Sequence, residues 1–171
     1  MKLEYEVGDH ALGKLLVAGT ERGVSFVALG DDVNEMLREL KRDYPQAEVV
    51  EWRFTKPRWL RAVVRALSHP GEARDVPLEV KATAFQARVW KALQEIPCGE
   101  TRTYSGLAAS LGCATATRAV ARACATNRVP VLIPCHRVVG ASGALTGYRW
   151  GTERKAALLA GEREYATATG L

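Results

Sequence analysis

Cys135 and His136 are the adjacent pair in this 171-residue chain best suited to chemistry. A thiolate is a strong nucleophile, and an imidazole takes or holds a proton near neutral pH. The pair follows Val131-Leu132-Ile133-Pro134 and precedes Arg137-Val138-Val139. The apolar run has core or β preference. Pro134 lacks an N–H and holds φ near about −65°, so the run is expected to stop there and turn. Cys135 is then expected at the exit of a core element. Neighbours on an extended strand point to opposite faces, so either the chain turns at Cys135 or a water bridges thiol and imidazole. Taken alone, the pair also reads as a small buried hydrophobe beside a surface histidine. Nucleophilic use requires activation, because an ordinary thiol with a pKa of about 8.5 is mostly protonated at neutral pH.

The elements that must hold this pair divide into two halves. Residues 1–81 carry 13 Lys/Arg against 14 Asp/Glu, whereas residues 82–171 carry 11 against 5 and no aspartate. A basic second half suggests a face for a polyanion. The four cysteines, Cys98, Cys113, Cys124 and Cys135, all lie in that half and form no Cys-x-x-Cys pair. This argues against a zinc knuckle and a disulfide framework, and no metal site is expected. No apolar run reaches membrane-spanning length and no signal pattern opens the chain, so a cytoplasmic protein is expected.

In the first half, Leu3–Val7, Lys14–Ala18 and Val24–Leu29 read as strands. Asp31 or Asp32 can cap a helix with the stripe Val33, Met36, Leu37 and Leu40. Val49–Trp52 reads as a further strand, Trp59–Leu67 as a second helix, and Gly71–Val80 as a linker with an extended end. No catalytic constellation stands out there. The second half opens with a helix from about Thr83, followed by short helices over Tyr104–Leu111 and Thr115–Thr126 around a turn at Gly112. That is a helix-turn-helix pattern. Ala119 and its small neighbours allow close approach, and Arg118 and Arg122 share one face. Gly140–Gly143 is expected to turn a hairpin wing between Val138–Val139 and Ala144–Leu145. The last helix is expected from Thr152 to about Gly161, ending at Glu162, with a frayed tail over Arg163–Leu171.

Pro134-Cys135-His136-Arg137-Val138 resembles the active-site signature of the O6-alkylguanine-DNA alkyltransferases, or methylated-DNA–protein-cysteine methyltransferases. The resemblance continues through Phe85-Gln86, Val89-Trp90, Ile96–Glu100, Tyr104, Arg118-Ala119-Val120, Gly147–Gly151 and Arg154-Lys155-Ala156. Within the family the chain looks most like the C-terminal half of bacterial Ada. The implied fold is α/β: a ribonuclease-H-like scaffold domain with linker over 1–80, then a mostly helical, winged helix-turn-helix domain over 81–171.

The resemblance also implies a function. The protein would flip O6-methylguanine, and O4-methylthymine with it, out of double-stranded DNA and transfer the alkyl group irreversibly to Cys135. It would bind through the minor groove as a monomer, with little sequence preference and no cofactor. Glu162 would orient His136, which would draw the Cys135 proton through a water. Asn127 would hold the signature turn, and Tyr104 would contact a phosphate and protonate the leaving guanine. Arg118 would fill the base stack. Tyr148 would wall the base pocket, and backbone groups near Cys135, Val138 and Arg149 would meet the base edge. Lys155 would support Tyr104, and Arg122 would face the DNA. Trp150 stands where many relatives have glycine, so a narrow pocket is expected. A chain starting at Met1 without Ada's zinc-bearing domain is expected to repair bases only. Two other readings stay open: a cysteine hydrolase and a non-catalytic lesion-binding module.

Overall fold

The computed structural model describes residues 1–56 and 58–171, with no account of the Ala73 and Arg74 side chains. The fold is mixed α/β. Strands β1 (Lys2–His10), β2 (Gly13–Gly19) and β3 (Val24–Gly30) form an antiparallel meander. Strand β4 (Glu48–Glu51) returns through helix α1 (Val33–Asp43) to lie parallel to β1, giving the order β3-β2-β1-β4. Most of β2 and β3 is buried, as expected for continuous apolar strands covered on both faces. Asp32 is the residue that caps α1, accepting from the Asn34 N–H at 2.8 Å.

Helix α2 (Leu60–Ser68) has no side-chain cap of its own at Trp59. Glu6, buried on β1, replaces it by accepting the backbone N–H groups of Arg58, Trp59 and Leu60 at 2.7, 2.7 and 2.9 Å. A carboxylate here satisfies donors with no intrahelical partner and opposes the positive end of the helix dipole. The edge of β3 is also covered. Val24 N–H donates to Pro77 O at 2.9 Å, and Val27 N–H to Arg128 O at 2.8 Å. The end of the first half, at Pro77–Glu79, and Arg128 of the second half thus close the exposed edge of the sheet.

Helix α3 (Ala84–Gln94) starts with a reciprocal capping box between Thr83 and Gln86. Its Trp90 is buried and donates Nε1–H to Ala123 O at 2.8 Å, which is core packing. Strand β5 (Arg102–Thr103) leads into α4 (Tyr104–Ser110), which packs against α5 (Thr117–Ala125) across a turn with Gly112 at φ 74°. A short 3-10 turn (Cys135–Arg137) leads into β6 (Val138–Val139), and α6 (Thr152–Thr169) ends the chain. Among the described residues, no helix is long and apolar enough to cross a membrane.

Several sequence expectations are corrected. α-Helix accounts for about half of the second half, with irregular chain joining α5 to the signature and β6 to α6, so it is not clearly mostly helical. Val138–Val139 pairs in parallel with Arg102–Thr103, not with Ala144–Leu145. A 3-10 turn over Ala141–Gly143, with Ser142 at φ 60°, bends the chain away, and only Gly140 N–H reaches Ala144 O, at 2.7 Å. Val131–Ile133 forms hydrogen-bonded turns and no strand. The expected frayed tail is helical to Thr169. Tyr165 packs edge-on against His69 at 6.1 Å, and Gly170 at φ 72° caps the helix in the left-handed region.

Candidate active site

The segment carrying the signature is held from beneath by one amide. Asn127 is fully buried where the chain leaves α5. Its Nδ2–H donates to Ile133 O at 2.8 Å, and its Oδ1 accepts from Val129 N–H at 3.0 Å. Ile133 N–H donates to Val129 O at 2.9 Å and Cys135 N–H to Ile133 O at 2.8 Å, so successive turns overlap just before the thiol. Val131 sits between them at φ 73°, a strained conformation for a β-branched residue. The chain therefore turns at Cys135, one of the two ways out of the geometric conflict between neighbouring side chains.

Cys135 is 5% exposed, and burial pushes its thiol up to about 11 even though Asn127 and Lys155 pull the other way. At neutral pH only about 10⁻⁴ of such thiols are ionised. That is far below an ordinary cysteine, so the need for a base is greater than the sequence indicated.

His136 follows on the 3-10 turn and is 1% exposed. Its Nε2 lies 2.7 Å from Glu162 Oε1, reaching across to α6. Arg137, next along the turn, grips the same carboxylate from another side. Its Nε donates to Oε2 at 2.9 Å, its Nη2 to Oε1 at 2.8 Å, and its Nη1 to Ile96 O at 2.7 Å. Burial alone would raise Glu162, but the hydrogen bonds from His136 and Arg137 outweigh it and hold the carboxyl at about 2. An ionised Glu162 can only accept, so the bond from His136 must be Nε2–H donating. In the neutral imidazole Nδ1 is then the lone-pair nitrogen, and it is buried with no protein partner.

A cavity of about 10 Å³ adjoins the thiol, lined by Tyr104, Cys124, Cys135, the Gly147–Trp150 segment and Lys155. Tyr148 and Trp150 stack edge-on at 5.2 Å, and neither the Tyr148 hydroxyl nor the Trp150 indole N–H has a partner. Tyr104 donates its hydroxyl to Thr146 O at 3.3 Å, and burial pushes it up to about 12. Lys155 donates to the same carbonyl at 3.1 Å and lies over the Tyr104 ring at 5.7 Å. The Arg149 side chain turns away to Asp43 at 3.0 Å and Glu39 at 3.4 Å on α1. Larger cavities lie elsewhere: one of about 810 Å³ is walled by Cys98 and Arg137 and does not reach Cys135.

The structure thus gathers Cys135, Tyr104, Tyr148, Arg149 and Lys155 around one cavity, with His136, Glu162 and Asn127 behind it. Val138 is fully buried on β6. Arg118, Ala119 and Arg122 stand apart on α5: the two arginines are exposed, while Val120, Ala123 and Cys124 of the same helix are buried. Two residues had no role in the sequence reading. Arg137 was quoted only as part of the signature string, and a basic residue beside a carboxylate-paired histidine was its one available signal. Cys124 had none beyond lying four residues after Val120 on the buried face of its helix.

Comparison with known proteins matches the stretch of chain that carries these residues. A family model described as the 6-O-methylguanine DNA methyltransferase DNA-binding domain matches residues 84–164. The bifunctional transcriptional activator/DNA repair enzyme Ada of Escherichia coli is 43% identical over 96% of this chain, which spans about half (46%) of that protein. The methylated-DNA–protein-cysteine methyltransferase of Mycolicibacterium paratuberculosis is 39% identical, over 98% of this chain and 96% of its own length. A crystal structure of Mycobacterium tuberculosis OGT in complex with DNA superposes with a TM-score of 0.73 at 32% identity, covering 96% of this chain and 94% of that one. With near end-to-end identity of this order to a named member, the chain belongs to the methylated-DNA–protein-cysteine methyltransferase family.

Proposed function

We propose that the protein takes the alkyl group of O6-alkylguanine in double-stranded DNA onto Cys135, in one irreversible transfer per molecule. The observation that carries this reading is a buried thiol on a cavity wall beside a histidine whose bare nitrogen, Nδ1, is left without a protein partner. The Cys135 proton passes to His136, directly or through a water. The sulfur attacks the alkyl carbon, the carbon–O6 bond breaks, and the guanine anion takes a proton. Tyr104 is placed on the cavity wall to supply it. The product is a thioether, which no group in the site can hydrolyse, so the protein is consumed.

A cavity of about 10 Å³ has no room for a base. The Tyr148 segment therefore opens when the nucleotide is flipped in, and Gly147 (φ 69°) and Gly151 (φ 98°) bracket it with backbone that glycine adopts freely. Flipping costs a few kcal/mol of unstacking. Arg118 on the exposed face of α5 fills the vacated stack, and Arg122 and the small Ala119 let the helix lie close in the minor groove. The packing of α4 on α5 supports a helix-turn-helix there, with β5 and β6 as a reduced wing. The strand order β3-β2-β1-β4, antiparallel except for its last pair, supports a ribonuclease-H-like first domain over 1–80. The Mycobacterium tuberculosis relative solved with DNA supports DNA as the partner. We read the protein as a cytoplasmic monomer.

The test is stoichiometric. Protein incubated with excess duplex containing O6-methylguanine should restore one guanine per molecule and then stop, gaining the mass of one methyl group. Continued turnover would indicate a hydrolase, and binding without demethylation a lesion-recognition module.

A further inference from the structure

Glu162 is usually the group one would credit with orienting His136, but the geometry places a second residue behind it. Arg137 is buried, directs its fork at both carboxylate oxygens at 2.8 and 2.9 Å, and is itself fixed by Ile96 O at 2.7 Å. Such a planar two-point grip is the strong form of a charge-assisted hydrogen bond. We infer that Arg137 is a positioning residue that fixes the tautomer of His136 by keeping Glu162 ionised. The inference rests on the transfer chemistry proposed above and deepens it.

The reasoning turns on which atom carries a proton. A carboxyl group as buried as Glu162 is driven toward its neutral form. A protonated Glu162 would donate its O–H to His136 Nε2, and the imidazole would then carry its own proton on Nδ1. That tautomer has no lone pair left for the Cys135 proton. An ionised Glu162 imposes the reverse: Nε2–H donates to Oε1, and the bare Nδ1 accepts the thiol proton as the sulfur attacks. Neutral His136 alone cannot enforce this choice, because its ring hydrogen-bonds a neutral or an ionised carboxyl equally well by switching tautomer. A permanent cation on the carboxylate can.

Other ionisable groups surround the pair. Cys98, after α3, contacts the Glu162 carbonyl at 3.7 Å. His10, at the end of β1, lines a cavity with His136, Arg137 and Glu162. Cys135, Tyr148 and Lys155 lie on the cavity side, and Arg154 acts on Tyr148. None of these is a cation hydrogen-bonded to the Glu162 carboxylate; Arg137 alone among the described residues fills that place.

The test is a double-mutant cycle, with histidine ¹⁵N spectra of the intact protein as a second readout. Wild-type His136 should carry its proton on Nε2 at neutral pH. Arg137→Gln should move it toward Nδ1 and slow methyl transfer from O6-methylguanine duplex at least tenfold, within the roughly 10⁴-fold that a wrong tautomer costs in a comparable triad. In a Glu162→Gln background, where no carboxylate remains to be held, the same change should cost almost nothing further. Arg137→Lys, which keeps the charge but loses the fork, should restore part of the rate. Additive losses in the cycle, or a slowed reaction with unmoved His136 signals, would overturn the inference. Should Arg137→Gln not fold, a wild-type spectrum with the proton on Nδ1 would overturn it equally, and Arg137→Lys still reports on the rate. Wild-type protein that transfers no methyl group would instead sink the proposed function, while leaving the tautomer assignment to be read from the spectrum.

Discussion

Each half of the molecule buries one carboxylate, and the two are used in opposite ways. Glu6, 8% exposed, accepts three backbone N–H groups at the start of α2, and its work is finished once the scaffold is folded. Glu162, 5% exposed, accepts from two side chains, and beyond them lie a histidine nitrogen, a tyrosine hydroxyl and an indole N–H with no partners. Unpaired buried polar groups are costly and rare. The first half ties its buried carboxylate to backbone alone, and its own buried atoms without a hydrogen-bond partner, Ser25 Oγ and Glu39 Oε2, do not line the Cys135 cavity; the second half leaves Tyr148 and Trp150 unpartnered on the wall of the cavity that holds a thiol. That difference separates scaffold from site more sharply than charge does, although charge agrees: the halves are respectively near neutral and basic.

The comparison breaks if the two carboxylates behave alike on substitution. Glu162→Gln presents an amide N–H to His136 Nε2 and forces the wrong tautomer, so transfer should fall by about 10²–10⁴-fold. Glu6→Gln should leave the rate per folded molecule unchanged and cost about 1–2 kcal/mol of stability, as loss of a helix cap does. Single-turnover rates and denaturant unfolding of both variants decide it, and equal rate losses would erase the distinction.

A smaller effect should appear when substrate delivery is separated from chemistry. Arg118 is exposed on α5 and does not line the Cys135 cavity. Arg118→Ala should therefore slow repair of duplex DNA by roughly tenfold or more, since flipping costs a few kcal/mol, yet leave reaction with free O6-methylguanine intact. Equal losses on both substrates would place Arg118 in the chemical step.

The smallest effect concerns acid stability. Glu162 is held at about 2, below its ordinary 4.5, so its ion pairs contribute stability that is complete above about pH 5 and lost as pH falls toward 2. Glu162→Gln should flatten that part of the stability–pH curve. A variant curve parallel to wild type across this window would show that the carboxylate is not held down in the folded protein.

Sequence alone singled out Cys135 and His136 as the candidate pair, because a proline followed by Cys-His has few competing uses once the flanking motifs are present. It also located the four strands of the larger sheet and five of the α-helices to within a few residues, since their apolar periodicity is strong. It missed what depends on distant partners. The carboxyl end of α6 looked frayed because Thr167, Thr169 and Gly170 are weak helix formers, and the contact of Tyr165 with His69 is invisible in a linear pattern. Val138–Val139 seemed to invite a local hairpin, but the register is set by Arg102–Thr103, far back in the chain. Glu162 entered only through family resemblance, and Arg137 received no role, because neither spacing nor composition reveals that they meet.

The most direct measurement is to locate the transferred group. Protein reacted to completion with O6-methylguanine duplex is digested, and its four cysteine-containing regions are read by tandem mass spectrometry. S-methylation should be found on Cys135 alone and vanish in Cys135→Ser, which should still bind DNA. Methylation of Cys124, the other thiol lining the same cavity, would contradict the assignment.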